Sequence, residues 1–472
     1  MQKFKFILVL IFSFFCFVGC ANKPAEEVII EDAVYVSVNG TGDGSYESPC
    51  SLDYALEHMT TEKPVYLLGG TYSVENSIVF SKNATASKKY VIAGWLNQNV
   101  VLDFGYHEGQ TPKYNNVSTN IRYSGITISG NYYKIANLTL TGAGSCGMYV
   151  CGHYNLIENC VFKENGNSGL QISGSSGDTI ANWPHDNTIK NCTSFGNYDW
   201  NRSDGKRGED ADGFACKICT GENNVFDGCI AYNNSDDGWD LFTKRATGVI
   251  GSVTIKNSIA FRNGYGMNGT ALKNGNGFKL GGRALEVNHT VENCLAFNNK
   301  GNGFDDNSNP GTLTFVNCTA YNNEAKNFAT GRFVENSNTY DSTWTEDGVS
   351  YGPIENVPKS HNVYSSCLSY KSSGDNKDYY VGNAEYCLFF YSANKYVSYG
   401  ASGACTHKTQ TNIVQNADIP FVSISNNNLN NLQTIHSTFR DANHNIKLYN
   451  FLKANSWAAA YGSNGRIGCY FE

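Results

Sequence analysis

Hydrophobic and polar residues alternate along much of the chain in short runs. In GTLTFVNCTAYNN, for example, β-branched and aromatic residues alternate with polar residues before a pair of asparagines. Such alternation predicts short β-strands rather than amphipathic helices. The 48 glycines, 30 tyrosines and only 9 prolines also fit a turn-rich β-protein. The pattern therefore predicts an all-β fold.

One short phrase recurs along the chain. Its copies begin at Asn159, Asn191, Gly228, Asn257, Asn293, Asn317 and, in a weaker form, Ser366. The intervals are 32, 37, 29, 36, 24 and 49 residues, which indicates a solenoid. Because each copy lies in alternating β-type sequence, the repeat predicts a parallel β-helix with coils of roughly 22 residues and the surplus in loops.

The phrase itself predicts what its residues do. The leading asparagine tolerates the left-handed conformation of a tight turn and can hydrogen-bond to its equivalent in the next coil. The next position is expected to point inward as a small core residue: Cys160, Cys192, Cys229, Ser258, Cys294, Cys318 and Cys367. This recurrence favours reduced core thiols over disulfides. Cys216 and Cys219 have zinc-like spacing without a second pair, so core packing explains them better.

A second phrase of the form polar–Gly–large apolar–variable lies in the same coils, with its glycines at Gly169, Gly213, Gly238, Gly277 and Gly303. Equivalent positions in adjacent coils stack roughly 4.8 Å apart. The residue before the glycine then forms one column: Ser168, Asp212, Asp237, Asn276 and Asn302. The residue two after it forms another: Gln171, Ala215, Asp240, Lys279 and Asp305.

These columns bring four carboxylates together, those of Asp212, Asp236, Asp237 and Asp240. Carboxylates this close repel one another unless a cation compensates them. Ca²⁺ takes six to eight oxygen ligands and suits a carboxylate-rich site. The cluster therefore predicts a calcium site, and the alternative is a solvated acidic ladder capped by lysines.

Lys279 lies one coil beyond Asp240 and is the candidate Brønsted base. A nearby divalent cation lowers the pKa of a lysine towards the neutral amine that a base requires. Neighbouring aspartates raise it, so the direction of the net shift does not follow from the sequence. The alternative is an ion pair with Asp240 or Asp305.

The motifs DADGFACKI, AYNNSDDGWDLF and NGFKLGGR, in this order between asparagine-rich turns, resemble polysaccharide lyase family 9. The resemblance implies a right-handed parallel β-helix that cleaves pectic polysaccharides by calcium-dependent β-elimination. It implies that Asp212, Asp236, Asp237 and Asp240 bind Ca²⁺ and that Lys279 is the base. The segment VSVNGTGDGSYESPCSLDYALEHM resembles the start of such a fold, where a short N-terminal helix caps the core.

Several functional questions stay open at this stage. Loop cations, namely Arg207, Lys244, Arg262 and Arg283, are candidates for binding uronates. One rival function is a pectin hydrolase with Asp236 and Asp237 as acid and base. Another is a pectin-binding or adhesin-type β-helix without catalysis. Homogalacturonan and rhamnogalacturonan I both satisfy the predicted chemistry.

Charge and the first residues indicate location. The formal net charge of −7 and the lack of a basic stripe argue against a nucleic-acid partner. Residues 1–20 resemble a bacterial lipoprotein signal, in which Cys20 would carry a lipid anchor at the cell envelope; a simple signal peptide is the alternative. We expect a tether over 21–32, the β-helix over 33–420, C-terminal coils or a cap over 421–472, and a monomer.

Overall fold

The computed structural model describes residues 29–110, 123–200, 202–374 and 376–471. Its strands form a solenoid in which successive coils pair mainly in parallel and in register. Each full coil crosses three faces in turn, which we call sheets A, B and C. The all-β parallel β-helix predicted from the sequence is therefore confirmed. The predicted signal, Cys20 and tether residues 21–28 lie outside the described residues.

The strands are numbered in chain order. Sheet A contains β1 Val34–Val36, β2 Val65–Leu67, β5 Tyr90–Gly94, β8 Tyr133–Ala136, β11 Leu156–Glu158, β14 Thr188–Lys190, β17 Asn224–Asp227, β20 Val253–Lys256, β23 Thr290–Glu292, β26 Thr314–Val316, β33 Asn362–Ser365, β35 Tyr379–Glu385 and β38 Gly403–Thr406. Sheet B contains β3 Gly70–Ser73, β6 Val100–Asp103, β9 Thr139–Thr141, β12 Val161–Lys163, β15 Thr193–Phe195, β18 Ile230–Tyr232, β21 Ile259–Phe261, β24 Leu295–Phe297, β27 Thr319–Tyr321, β34 Leu368–Tyr370, β36 Cys387–Ser392, β37 Lys395–Tyr399 and β39 Ile413–Gln415. Sheet C contains β4 Ile78–Phe80, β7 Ile126–Ile128, β10 Met148–Val150, β13 Leu170–Ile172, β16 Phe214–Cys216, β19 Trp239–Asp240, β22 Phe278–Lys279, β25 Phe304–Asp305 and β28 Phe328–Thr330.

An insertion between β28 and β33 forms two antiparallel pairs, β29 Asn338–Tyr340 with β32 Ile354–Val357, and β30 Trp344–Glu346 with β31 Val349–Tyr351. The helices are short: α1 Leu52–His58, α2 Ile435–Thr438, α3 Ser456–Ala459, and 3₁₀ turns at Asn427–Asn430 and Leu432–Thr434. Within the described ranges, no helix has the length and apolar character needed to cross a membrane.

Buried asparagines fix the register between coils. The leading residue of the repeated phrase has a left-handed backbone, as predicted, with φ of 53° at Asn159 and 51° at Asn257. The longest amide ladder, however, uses the last asparagine of the phrase instead. Its amides donate from coil to coil over 2.8–3.0 Å through Asn165, Asn197, Asn234, Asn263, Asn299 and Asn323, and Asn323 donates in turn to Asn327, four residues further along the chain, over 2.9 Å. This ladder satisfies polar groups that burial would otherwise leave unpaired.

The predicted cysteine row lies in the core. Cys160, Cys192 and Cys229 are fully buried, as are their equivalents further along. All cysteines in the described residues are free thiols, which confirms the expectation of reduced core residues. Cys216 and Cys219 are also buried and unpaired, as core packing requires. Burial raises the pKa of Cys216 to about 12, so this thiol is not a reactive thiolate.

Both the start of the solenoid and sheet B are covered. Helix α1 begins after Ser51, whose hydroxyl accepts from the Tyr54 amide, and buries Ala55 in the core. This agrees with the predicted capping helix. Residues 421–471 add no parallel coil but pack over the outer side of sheet B. Tyr232, for example, donates its hydroxyl to the Leu432 carbonyl over 2.6 Å.

Candidate active site

The two predicted columns exist on sheet C. Asp240 pairs in register with Ala215 on one side and Lys279 on the other, and Lys279 pairs with Asp305. In the other column, the amide of Gly213 donates to the carbonyl of Asp237 over 2.9 Å. The repeat alignment therefore gave the correct register for the residues proposed to act together.

Packing beneath the site explains why these side chains face outward. Trp239 points inward and stacks on Phe278 with 4.7 Å between ring centroids. Its neighbour Asp240 then points outward because side chains alternate along a strand. A Cβ on Gly238 would lie 2.5 Å from the Gly277 carbonyl and 2.8 Å from the Asn263 amide nitrogen. Glycine is thus required where the strand passes the asparagine ladder, and this fixes the position of the acidic residues.

Three of the predicted carboxylates form a compact group. Oxygen atoms of Asp212, Asp237 and Asp240 all lie within 4.8 Å of one another. Asp236 is not part of this group of three, although it is buried and lies within the electrostatic influence of Asp237. The structure thus brings the predicted cluster together, with Asp236 at its edge.

Two lysines compensate this negative charge. The ammonium of Lys279 lies 3.0 Å from Asp237 Oδ2 and 3.3 Å from Asp240 Oδ1. Lys217 lies 2.7 Å from Asp212 Oδ2 and 2.8 Å from Asp240 Oδ2. The ion pair with Asp240 anticipated for Lys279 is present. Lys217 was missed in the sequence, where the only signal is its place five residues after Asp212 in DADGFACK.

Uncharged neighbours orient the carboxylates. The Ser168 hydroxyl donates to Asp212 Oδ2 over 3.1 Å. Both the backbone and the side-chain amide of Asn276 donate to Asp237 Oδ1, over 2.7 and 2.9 Å. These donors belong to the same column as the aspartates they contact, so the coils before and after the cluster hold it in place.

Burial and charge act in opposite directions on the pKa values. Burial raises the pKa of Asp212 to about 7, despite Lys217. Burial and Asp237 together raise the pKa of Asp236 well above its usual value. For Asp240, the two lysines outweigh burial, and its pKa is lowered. Burial alone would lower the pKa of Lys279, but Asp237 and Asp240 hold it well above its ordinary value.

Asp240, Lys217 and Lys279 line an open cleft of about 660 Å³, and Asp212 and Asp237 are buried beside them. Lys244 and Arg283, two of the candidate uronate-binding cations, also line the cleft. Arg283 is held by Glu346 Oε1 at 2.7 Å and lies over the ring of Trp344, both from the inserted hairpin.

The other predicted loop cations lie elsewhere. Arg207 is exposed and interacts with Tyr198, while Arg202 and Lys206 of the same loop line the cleft instead. Arg262 lies in a separate depression with Tyr265. The sequence identified the loop between β15 and β16 but not which of its cations faces the cleft, because loop residues have no repeat to align.

The donor set suits a calcium ion. It consists of oxygens alone. Asp236 Oδ1 is buried without a hydrogen-bond partner, and Asp237 Oδ2 and Asp240 Oδ1, also without a hydrogen bond, are compensated only through their ion pairs with Lys279. Burying an ionised oxygen without compensation is costly, and carboxylate oxygens are the ligands that Ca²⁺ prefers. The residues present therefore fit the ion that the sequence predicted.

The right-handed β-helix region of the Pel9A-like family matches residues 34–339. The chain belongs to the Pel9A-like β-helix family. This confirms the resemblance to polysaccharide lyase family 9 and the right-handed solenoid expected from it.

Curated relatives of this Pel9A-like chain carry lyase names. Pectate lyase L of Thermoclostridium stercorarium is 37% identical over 357 residues, which are 74% of this chain and 25% of that protein. Pectate lyase L of Paenibacillus polymyxa is 39% identical over 315 residues, 65% of this chain and 67% of that protein. The chain thus spans a quarter of the first relative and about two thirds of the second.

Solved structures agree with this assignment. Pectate lyase Pel9A superposes with a TM-score of 0.63 at 27% identity, covering 90% of this chain and 89% of that one. A rhamnogalacturonan lyase superposes with a TM-score of 0.64 at 20% identity, covering 93% and 99%, which shows a shared fold. Membership of the Pel9A-like family agrees with the enzyme class predicted from the sequence, a polysaccharide lyase.

Proposed function

We propose that the protein is a calcium-dependent lyase that cleaves a galacturonate-containing pectic backbone by β-elimination. One observation carries this proposal: Asp240 and Lys279 line one open cleft, and Asp240 clusters there with the buried carboxylates of Asp212 and Asp237. A hydrolase needs a pair of carboxyl groups as acid and base. Here Asp237 and Asp240 are instead both engaged by Lys279, and a lysine suits proton abstraction without attack by water.

The aspartates would hold the cation. Asp212, Asp237 and Asp240 offer the closest oxygens, and Asp236 adds a buried oxygen without a hydrogen bond. When bound, Ca²⁺ supplies positive charge that stabilises negative charge developing on a substrate carboxylate. Ser168 and Asn276 orient the ligands before the ion arrives, which reduces the reorganisation needed for binding.

Lys279 would carry out the proton transfer. While Asp237 and Asp240 pair with Lys279, its pKa is raised and it stays protonated; once these carboxylates bind a cation instead, that pKa would fall towards the neutral amine that a base requires. The neutral Nζ would then accept the proton from C5 of the uronate, the C5–H electron pair would form the C4–C5 double bond, and the C4–O4 bond would break with its electron pair leaving on O4 of the released chain. Lys279 is one strand from Asp240, so the base and the carboxylate-binding position are adjacent. General bases of this kind typically contribute about 10²–10⁴-fold in rate.

The cleft cations would position the polymer. Arg283 is fixed by Glu346 and packs against Phe242 and Trp344, so its guanidinium is oriented before substrate binds. Lys244 Nζ lies 3.8 Å from Oδ1 of Asp347, which is in the turn between β30 and β31 of the insertion. Arg207 is a weaker candidate for substrate contact than Lys244 and Arg283, because it is exposed beside Tyr198 and does not line the cleft.

The names of the related lyases support the proposed substrate class. Both a pectate lyase and a rhamnogalacturonan lyase share this fold, and both of their named polymers contain galacturonate. We assign galacturonate to the reacting unit and leave homogalacturonan and rhamnogalacturonan I as the two polymers to be compared. The protein is proposed to act as an exported monomer tethered to the cell envelope through a lipid on Cys20.

The direct test is an ultraviolet assay for the new double bond with both polymers, with and without added calcium after chelation. We expect absorbance to rise only with calcium, and Asp237→Ala to lose metal binding and turnover while the far-ultraviolet circular dichroism stays that of a β-helix. Full turnover after verified removal of the metal would contradict calcium dependence. Reducing ends without ultraviolet absorbance would show hydrolysis instead.

A further inference from the structure

The outward column of sheet C continues beyond Lys279. It runs in register from Lys279 to Asp305, Ala329 and Tyr379. The catalytic cleft includes Lys279, and a second cavity of about 620 Å³ begins with Asp305. Because neighbouring strands are about 4.8 Å apart, the second cavity extends about 14 Å along the solenoid axis from the candidate base. Both cavities open on the same face.

Lys326 occupies a notable place in this second cavity. Its carbonyl accepts from the Gly303 amide over 2.8 Å, as the Asp237 carbonyl accepts from Gly213. Its own amide donates to Asn302 Oδ1 over 3.0 Å. Lys326 therefore belongs to the same column as Asp212 and Asp237, which lie in earlier coils, and it carries the opposite charge.

An aromatic pair holds the Lys326 ammonium. Nζ lies 4.5 Å from the ring centroid of Tyr379, and Tyr379 stacks on His407 with centroids 4.3 Å apart and planes 10° apart. A ring stacked this closely covers one face of Tyr379, so the ammonium occupies the other. The cation–π contact fixes the position of the charge without neutralising it.

Arg332 supplies a second cation on the same wall. Its backbone amide donates to Asp306 Oδ2 over 3.1 Å, and its guanidinium lies 5.3 Å from the Tyr340 ring centroid. Within the described residues, neither Lys326 nor Arg332 forms an ion pair, whereas Lys408 in the same cavity pairs with Glu335 at 2.8 Å. The cavity thus holds two cations that form no ion pair. Asp305 and Asp306 also line it, and their carboxylate oxygens accept hydrogen bonds from the Asn302 side chain and from the Asn307, Ser308 and Arg332 amides.

We propose that Lys326 and Arg332 form a distal subsite for carboxylates of the polymer whose reacting unit lies at Lys279. This inference rests on the proposed function and identifies where further uronate units of the same chain bind. A guanidinium can bind a carboxylate through two parallel hydrogen bonds, and the ammonium adds a point charge. Neutral sugars would gain nothing from this pair, so the subsite selects a chain that carries further uronates beyond the reacting unit.

Kinetics on substrates of different length test the subsite. For the double variant Lys326→Gln/Arg332→Gln, we expect KM to rise about tenfold on whichever long pectic polymer the wild type cleaves, as expected for about 1.4 kcal/mol of lost binding. On short oligosaccharides that span only the catalytic cleft, KM should stay at the wild-type value. The double variant Lys82→Gln/Lys395→Gln makes the same charge change at two exposed positions that line neither cavity and is the matched control. An equal rise on short substrates, or in the control, would overturn the proposal.

Binding without turnover separates this proposal from the proposed reaction. In native gels containing polygalacturonate, Lys279→Ala protein should be retarded, and adding the two glutamine substitutions should reduce that retardation; a neutral polysaccharide gel should retard neither. Equal retardation of both proteins, or none of either, would refute the subsite. If the wild type formed no unsaturated product yet retardation still depended on the two cations, the lyase assignment would fail and the subsite would stand.

Discussion

The outer faces of sheets B and C are built on the same coils but serve opposite purposes. On sheet B, Phe195, Tyr232, Phe261 and Phe297 stack with centroids 4.7–4.9 Å apart and are covered by the last part of the chain. On sheet C, equivalent outward positions carry the charged residues of an open cleft. The same β-helix backbone can therefore carry outward side chains that are apolar and covered on one sheet, and polar and open to solvent on another.

The comparison shows where stability and chemistry are separated. The aromatic stack buries large rings, which contributes strongly to folding. The acidic cluster buries repelling charges, which lowers stability unless cations compensate them. Substitutions on the two faces should accordingly change different measured quantities.

The largest effect should follow Lys279→Ala on the open face. Loss of the base should reduce kcat by 10²-fold or more, while the folded structure persists because the inward residues are untouched. Lys279→Arg should be nearly as inactive, since a guanidinium stays protonated. Initial rates by ultraviolet absorbance and melting temperatures check both variants. Wild-type rate in the arginine variant would mean that Lys279 acts only as a charge.

The reverse result is expected on the covered face. Phe261→Ala should lower the free energy of unfolding by about 3–5 kcal/mol, because a fully buried ring is replaced by a cavity. The rate per folded molecule should stay near that of the wild type. Denaturant unfolding gives the first quantity, and activity normalised to folded protein gives the second. Retained stability would show that the cover does not depend on the aromatic stack.

A pH-dependent change is expected in the core that both faces share. Burial lowers the pKa of His289 to about 3, and Nδ1 accepts from the Val253 amide over 3.1 Å. Because the folded pKa lies below the unfolded one, this contribution to stability is present above about pH 6.5 and is lost as the pH falls towards 3. Between pH 7 and 5 the loss should be about 2 kcal/mol.

His289→Asn is the variant that isolates this effect. Asparagine can accept the same Val253 hydrogen bond, as Asn362 does for the Leu313 amide, and it does not titrate. From pH 7 to pH 5, the free energy of unfolding should therefore fall more in the wild type than in the variant. A difference independent of pH would contradict the buried neutral imidazole.

The smallest effect concerns the balance of charge on the open face. Lys217→Met removes one of two lysines that compensate the aspartates. Without calcium, the variant should be less stable than the wild type. With calcium, the positive charge of Lys217 no longer repels the ion. Calcium should therefore raise the melting temperature of the variant more than that of the wild type. The added stabilisation should be about 1 kcal/mol. An unchanged calcium response would mean that Lys217 does not compete with the ion.

The sequence was sufficient for the columns because their constraint is local. Position 238 must be glycine, because a Cβ there would clash with the asparagine ladder. Trp239 packs inward on Phe278. The side chain of Asp240 must then point outward, since side chains alternate along a strand. Lys217 was missed because its long side chain reaches the cluster from the end of its strand, outside both columns. The insertion that orients Arg283 has no copy elsewhere in the chain, so alignment of repeats says nothing about its path.

The sequence left the C-terminal segment as either further coils or a cap, and it did not predict which face the segment covers. Residues 421–471 contain no repeated phrase, and their match to sheet B is a matter of shape and apolar area. Arg440 shows how specific that match is, since its guanidinium donates to the carbonyls of Gly228 and Cys192, both at 2.9 Å. Such contacts join positions more than two hundred residues apart, which a repeat analysis does not connect.

The asparagine ladder has a consequence for protein engineering. Since buried amides set the alignment of the coils, the loops that form the cleft walls are not needed to define it. Each loop that forms a cleft wall can therefore be replaced without changing the alignment of the coils. Loops grafted from other members of the family should therefore transfer polymer preference while leaving the aspartates and Lys279 in place.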